Sequence, residues 1–323
     1  MSGILGLNSD KKRFQYFGKG IDFTLLFLKN MLLTLISFGF YYPWAKVTLL
    51  NYHYTATELE NTRFTFHGTG NEVFKGFIKV YLLVFILYIL LAYAFASQNF
   101  LLSGIFTSLL YLTAIVLFPL AIHGAVRYRA SRSSWKGIYF KYLGDRSELF
   151  WKCITGTLIT IFTLGIYGPW FVTDLRKYIT SHLRFGNLAF DFHGKGETLF
   201  WIHLKFFLLF PITLGIYSFW YVKELWSFYV ENTEITQNNN QIKFNFTMKA
   251  GDAFELFIVN FLLIIFTFGL ATPWVIVRTY TFIFRFLEIE EGLNTSTIQK
   301  VNYDDYSDAT GDSALDFFDF DLI

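Results

Sequence analysis

Six apolar runs of about twenty residues dominate the chain, at about 22–44, 74–95, 101–124, 148–170, 198–220 and 254–274. Each is long enough as a helix to cross a hydrocarbon core of about 30 Å. Between them lie short stretches of the opposite character. TRFTFHG (62–68), NLAFDFHG (187–194) and QIKFNFTM (241–248) alternate apolar and polar residues with the period of two expected of half-buried strands. An acid then stands at the start of five of the six apolar runs, at Asp22, Glu72, Glu148, Glu197 and Asp252, where a helix N-terminus favours negative charge.

Four of the runs end on one signature: SFGFYYPW (37–44), TLGIYGPW (163–170), TLGIYSFW (213–220) and TFGLATPW (267–274). Glycine can take the left-handed conformation that closes a helix, and proline suits the first position of the next. Trp44, Trp170, Trp220 and Trp274 then read as membrane-interface anchors, since each has an apolar body and a polar tip. Amphipathic segments follow, such as FVTDLRKYITSHLRF (171–185) and YVKELWSFYV (221–230), expected to run along or away from the surface.

The signature glycines, at positions 39, 165, 215 and 269, point to a period near ~50 residues with an insertion in the first interval. A second marker agrees: YFGKG (16–20), FHGTG (66–70) and FHGKG (192–196), with weaker relatives YLGDR (142–146) and FTMKAG (246–251). This gives five copies, the second without its Pro-Trp ending. The expected fold is a mainly α integral membrane protein. About six apolar helices arise from tandem ~50-residue repeats, with short β-strands or hairpins between them. The expected division is an N-terminal membrane unit (1–125), a basic linker (126–147), a C-terminal membrane unit (148–302) and an acidic C-terminal tail (303–323).

Composition agrees with a membrane protein. Of 323 residues, 54% are hydrophobic, 21% aromatic and only 16% charged, against roughly 25% charged in soluble domains. The first run is not a signal peptide, because it ends in YYPW and five more runs follow. Cys153 is the one cysteine, so no intrachain disulfide can form, and a net charge of +2 does not select an anionic partner. With six full crossings, the loops on the two sides carry equal numbers of Lys and Arg, and the positive-inside rule gives no orientation. A second arrangement resolves the tie. If the signature segments return to their starting side as hairpins, only 74–95 and 101–124 cross, joined by the uncharged SQNF (97–100), and nearly every basic residue faces one side. Against it stand the charges that directly follow Pro-Trp, costly at depth in a bilayer. Both arrangements remain open at this point.

The ordered set FHGTG, apolar helix, TLGIYGPW, Tyr-containing amphipathic stretch and FHGKG resembles the YjgN family of bacterial inner-membrane proteins. The ending DATGDSALDFFDFDLI (308–323) is similar to that family's acidic, alternately apolar terminus. The resemblance implies a multi-pass protein of the cytoplasmic membrane. It carries no activity with it, hence no catalytic or ligand residues. The chain departs from the family pattern in carrying few basic residues after Pro-Trp, Lys46 standing nearly alone in AKVTLLNYHY (45–54).

Candidate sites are few. Lys29 and Lys205 stand at equivalent places in two repeats, either snorkelling to headgroups or marking a cationic pathway. Asn30 and Asn260 are equivalent too, with helix-packing hydrogen bonds the default. His67 and His193 share one repeat position. A metal would need ligands that no spacing supplies, so the residues read as strand–helix turns, Gly68, Gly70, Gly194 and Gly196 giving freedom, with lipid phosphate as a ligand of interest. The basic stretch VRYRASRSSWKGIYFKY (126–142) suits anionic lipid through Arg127, Arg129, Arg132 and Lys136. The acidic tail suits docking on the protein's own basic surface or a protein partner. No phosphate-binding loop, dinucleotide fingerprint, nucleophile elbow or zinc helix is present, and no nucleic-acid motif. The expectation is therefore no enzyme, no cofactor and no metal. The first reading is a membrane-organising, scaffolding or lipid-binding protein, and the second a channel or transporter for a small solute or ion.

Overall fold

The computed structural model describes residues 12–301. The chain opens with β1 (Lys12–Tyr16), then a helical pair, α1 (Gly20–Ile36) and α2 (Tyr42–Ala56). Strands β2 (Thr57–Leu59), β3 (Thr62–Arg63) and β4 (Thr65–Phe66) lead to α3 (Gly70–Ala96) and α4 (Phe100–Arg132). The hairpin β5 (Ser133–Trp135) and β6 (Ile138–Tyr142) precedes α5 (Arg146–Phe162) and α6 (Gly168–Ser181). Next come β7 (Leu183–Phe185), β8 (Leu188–Phe192), α7 (Gly196–Ile212) and α8 (Ser218–Glu231). The last unit is β9 (Thr233–Gln237), β10 (Asn240–Phe246), α9 (Ala250–Phe266), α10 (Thr272–Phe286) and β11 (Leu287–Ile289).

All the strands join one sheet in the order β3-β2-β1-β11-β10-β9-β8-β7-β6-β5-β4, each neighbour antiparallel. Its two edge strands, β3 and β4, are consecutive in the chain and separated only by Phe64, so the sheet curls round on itself. This near-closure leaves only two-residue strands at the edges, where an open sheet would present long ones. Every strand hairpin turns at one rim of this ring, and every helical pair leaves from the other.

Five helical pairs in place of about six apolar helices is a correction to the sequence expectation. Four expected spans are each broken by their own signature, and among the described residues only Gly70–Ala96 and Phe100–Arg132 have the length and hydropathy of membrane spans. The physical reason lies in the turn. Phe38, Leu164, Leu214 and Phe268 take φ of 50°, 52°, 50° and 50°, and the glycines that follow take 90°, 92°, 88° and 85°. Two successive left-handed residues reverse the chain, and only glycine accepts the second without strain. The outgoing helices α1, α5, α7 and α9 are therefore 17 residues each, about 26 Å at 1.5 Å per residue. The strands are likewise not isolated hairpins between helices but the pieces of a single ring.

The ring is packed from within. Leu59, Trp135, Phe185, Leu188, Ile235, Ile242 and Ile289 form one buried cluster, against which Phe14, Phe64, Phe140, Phe190 and Phe244 pack. One residue pair further along each strand stands an aromatic at the helix rim: Tyr16, Phe66, Tyr142, Phe192 and Phe246, all buried. Each of these five nucleates a separate cluster with the neighbouring helices. Burying such a ring contributes about 1.5–3 kcal/mol, repeated five times around the rim. The alternation seen in TRFTFHG, NLAFDFHG and QIKFNFTM is this inward face.

Candidate functional site

The candidate functional surface is the set of helical hairpins, and its parts follow from the two motifs. At each signature turn the glycine N–H donates to the carbonyl five residues back: Gly39 to Thr34 at 2.8 Å, Gly165 to Thr160 at 2.7 Å, Gly215 to Phe210 at 2.8 Å and Gly269 to Ile264 at 2.8 Å. The Ser or Thr that opens the signature accepts from the backbone N–H four residues on. The bonds are Tyr41 to Ser37 at 2.9 Å, Tyr167 to Thr163 at 3.1 Å, Tyr217 to Thr213 at 3.0 Å and Ala271 to Thr267 at 3.0 Å. The turn thereby satisfies its own polar groups, as a backbone reversal in an apolar medium must. What remains outside is apolar: Phe38, Leu164, Leu214 and Phe268 are 85%, 94%, 92% and 97% exposed. The α3–α4 tip differs. There Ser97, Gln98 and Asn99 are polar, and the Asn99 side chain caps α4 by accepting from Leu102 N–H at 3.1 Å.

At the root of each hairpin one backbone bond clasps its two helices. Phe17 N–H donates to Ala56, His67 to Arg132, Leu143 to His182, His193 to Asn232 and Thr247 to Phe286, at 2.7–3.0 Å. The five acids anticipated at helix starts all stand in first turns. Glycine explains the rest of the root. A Cβ on Gly68 or Gly194 would strike the rim aromatic two residues before it, at 2.6 Å from Phe66 and 2.4 Å from Phe192. A Cβ on the second glycine would strike the signature tryptophan of the preceding hairpin: Gly70 against Trp44, Gly196 against Trp170, and Gly20 against Trp274 across the closure of the ring. Three of the hairpins, α1–α2, α5–α6 and α9–α10, therefore lean over the root of the next, and there GxG and Pro-Trp are two halves of one contact. At Ala250, where the chain lacks that glycine, Phe219 beside the preceding Trp220 packs on Phe254 and Phe257.

The residues singled out from sequence fall at separate places. Lys29 and Lys205 are exposed on α1 and α7, which are not adjacent helices. Asn260 donates to Thr279 at 3.2 Å and accepts from Arg278 at 3.1 Å, while buried Asn30 leaves its Nδ2 without a bonding partner. His67 and His193 lie between strand and helix but in different units. His67 contacts Ser134 Oγ at 2.9 Å and stacks on Tyr139, and His193 faces Glu234 at 3.3 Å. Among the described residues no group of three His, Cys, Asp or Glu side chains comes together. The basic stretch spans the end of α4 and the β5–β6 hairpin. Arg132 donates to both Glu72 oxygens at 2.9 and 3.2 Å, Lys136 pairs with Glu60 at 3.1 Å, and Arg127 and Arg129 are also engaged. The acidic tail lies outside the described residues.

One polar node escaped the sequence because its members are far apart in the chain. At the turn rim Glu60 pairs with Lys12 and Lys136 and accepts from the Thr295 hydroxyl. Burial pushes its carboxyl up, but the hydrogen bonds from Lys12, Thr295 and Lys136 outweigh this and hold it down at about 2. The segment carrying Thr295 crosses the rim: Gln237 donates to Asn294 at 2.9 Å, and Gln299 N–H to Asn187 at 3.2 Å. Leu293 and Ile298 of that segment join the ring core.

With these parts in place, comparison with known proteins is informative. The model of the family described as "Bacterial protein of unknown function (DUF898)" matches residues 11–212 and 223–317. The chain belongs to this family. Within DUF898, curated relatives bear the name inner membrane protein YjgN. The Salmonella typhimurium protein is 31% identical over 134 residues, covering 42% of this chain and 32% of the relative. The relatives from Escherichia coli O157:H7 and K12 are each 28% identical, over 168 and 160 residues, covering 52% and 50% of this chain and 40% and 38% of theirs. The matched region is thus well under half the length of these relatives. No solved structure matches the chain. The resemblance to the YjgN family holds, and this DUF898 chain is an inner-membrane protein.

Proposed function

We propose that this protein is an inner-membrane scaffold that binds lipid and has no catalytic role. Its strand ring sits at the cytoplasmic face, four hairpins dip into the bilayer without crossing, and α3–α4 spans it as one pair. The observation that carries this reading is the contrast between tips. Four end in an apolar residue at least 85% exposed, on helices of 17 residues, whose length of about 26 Å falls short of a hydrocarbon core of about 30 Å. The fifth ends in Ser97-Gln98-Asn99, on helices of 27 and 33 residues, long enough for the polar tip to reach the far side.

Charge favours the same arrangement. Most of the described Lys and Arg lie toward the roots or the ring, although Lys29 and Lys205 stand midway along α1 and α7 and Lys46 near the tip end of α2, and none lies in 97–99. The positive-inside rule then puts the ring in the cytoplasm. The charges after Pro-Trp, which weighed against hairpins, lie on helices that lean over the next root, near the interface. The five units are copies of one strand, helix, turn, helix module arranged around the ring. A channel along the ring axis is disfavoured because aromatic side chains fill the interior and residues 293–299 cross its rim.

Labelling of single cysteines in intact cells by a membrane-impermeant thiol reagent tests the reading, with Cys153 replaced. Ser97→Cys is expected to be labelled, while Asn187→Cys and Asn239→Cys, both in strand turns, are protected. Outside labelling at either strand turn would overturn the one-sided arrangement and restore alternating crossings.

A further inference from the structure

The hairpin α5–α6 differs from the other short hairpins in a way that makes a cleft. The eleventh residue of each outgoing helix faces the returning one, and it is Asn30, Phe206 and Asn260 in α1, α7 and α9. Phe206 fills its hairpin by stacking on Tyr221 at 4.1 Å, and Asn260 bonds across to Arg278 and Thr279. In α5 the same residue is Gly156. Phe171 lies flat against it, so closely that a Cβ would come within 2.1 Å of the ring. Beside that ring a cleft of about 420 Å³ opens between α5 and α6.

The lining of the cleft is graded along its length. Lys152 and Lys177 stand toward the root end, about 9 and 6 Å from the helix ends measured along the axis, and Asp174 stands midway along α6. Gly156, Ile159 and Phe171 continue toward the tip. Neither lysine recurs in the other short hairpins: Lys152 is matched by Leu26, Ile202 and Leu256, and Lys177 by Asn51, Ser227 and Thr281. Lys152 pairs with Glu148 at 3.6 Å, whereas Lys177 and Asp174 have no ion-pair partner among the described residues. Lys152 and Glu148 are already paired, which leaves Lys177 and Asp174, one cation and one anion, to meet a headgroup that carries both signs and no net charge.

We propose that this cleft binds one zwitterionic aminophospholipid of the phosphatidylethanolamine class, its phosphate at Lys177, its ammonium at Asp174 and an acyl chain along Ile159 and Phe171. The inference rests on the hairpins lying in the bilayer, which places the charged end at headgroup level and the apolar end in hydrocarbon. A net anionic lipid meets Asp174 without offering it a cation, which selects against it.

The test is native mass spectrometry of the full chain in mild detergent with equimolar phosphatidylethanolamine and phosphatidylglycerol. One phosphatidylethanolamine per chain is expected to survive, in preference to phosphatidylglycerol. The double variant Asp174→Ala/Lys177→Ala, which removes two charge-assisted contacts at exposed positions, is expected to lower occupancy about tenfold or more. Thr155→Trp, which fills the cleft from the exposed face of α5, is expected to do the same, while Lys205→Ala leaves occupancy unchanged. Retention of phosphatidylglycerol equally well, or full occupancy in both cleft variants, would overturn the assignment. Alkaline carbonate extraction of the wild type separates the two levels of the argument. A chain that stays in the membrane yet retains no phosphatidylethanolamine refutes the cleft alone; a chain that is extracted refutes the anchoring reading.

Discussion

Gly196→Ala is a small perturbation that interrogates the contact on which the helical ring depends. Gly196 begins α7, and a Cβ there would lie 2.5 Å from Trp170 Cδ1 and 2.6 Å from Trp170 Cα. Carbon atoms pack comfortably at about 3.5–4.0 Å, so α6 must retreat from α7 by about 1 Å, and because one of the struck atoms is backbone no rotamer change relieves it. Overpacking of this kind costs about 1–3 kcal/mol, offset by at most about 1 kcal/mol from the better helix propensity of alanine. The net expectation is a loss of about 1–2 kcal/mol. Gly251→Ala is the matched control, since it sits in the first turn of α9 with nothing within 4 Å of its Cβ position. There the same chemical change should stabilise the protein by about 0.5 kcal/mol. Reversible unfolding in mixed micelles, followed by near-ultraviolet circular dichroism, reads both. The reasoning fails if the two substitutions move stability in the same direction, because then the tryptophan does not bear on the glycine beneath it.

Other expectations are as direct. Spin labels on Leu164→Cys and Phe268→Cys, in a Cys153→Ser background, should be relaxed by dissolved oxygen and shielded from a water-soluble nickel chelate, while a label on Asn239→Cys behaves the opposite way; chelate access at the tips would mean that they lie in water. Glu60 adds a pH dependence at the turn rim: its carboxyl is held at about 2, below the ordinary value of 4.5, so its contribution is present above pH 4.5 and is lost as the pH falls through 2. The difference in unfolding midpoint between wild type and Glu60→Gln should therefore be widest near neutrality and close toward pH 2, and a constant gap would refute the role of ionised Glu60. Thr163→Val, which removes the acceptor of Tyr167 N–H at 3.1 Å, should destabilise the α5–α6 turn by about 1 kcal/mol, seen as faster amide exchange confined to residues 163–168.

Much of this architecture was legible in the chain before any coordinates. The strand alternation before each GxG and the acid at the start of each outgoing helix correspond to real elements, because each is a local consequence of local residues. The count of crossings was not legible in the same way. A run such as 148–170 satisfies a length criterion only if the signature is counted as helix, and the left-handed pair Leu164-Gly165 removes it. The reason for pairing GxG with Pro-Trp was also hidden, since Gly20 and Trp274 stand at opposite ends of the sequence and meet only when the ring closes. Glu60, Lys12, Lys136 and Thr295 are scattered for the same reason. The cleft beside Gly156 had a sequence signal, a glycine where the equivalent helices carry Asn or Phe, visible once the units are aligned on their helix starts.

The pairing of β1 with β11, Lys12 opposite Ile289, sets a timetable for biosynthesis. Strand β1 finds β2 within a few dozen residues, but its other edge waits for β11, about 270 residues later. At about 5–20 residues per second that wait is on the order of 15–55 s, during which β1 keeps one row of backbone groups open to any passing strand. Maturation of this protein therefore ends with a single late zippering event, and truncation just before residue 287 should leave a chain that inserts but never completes its circle.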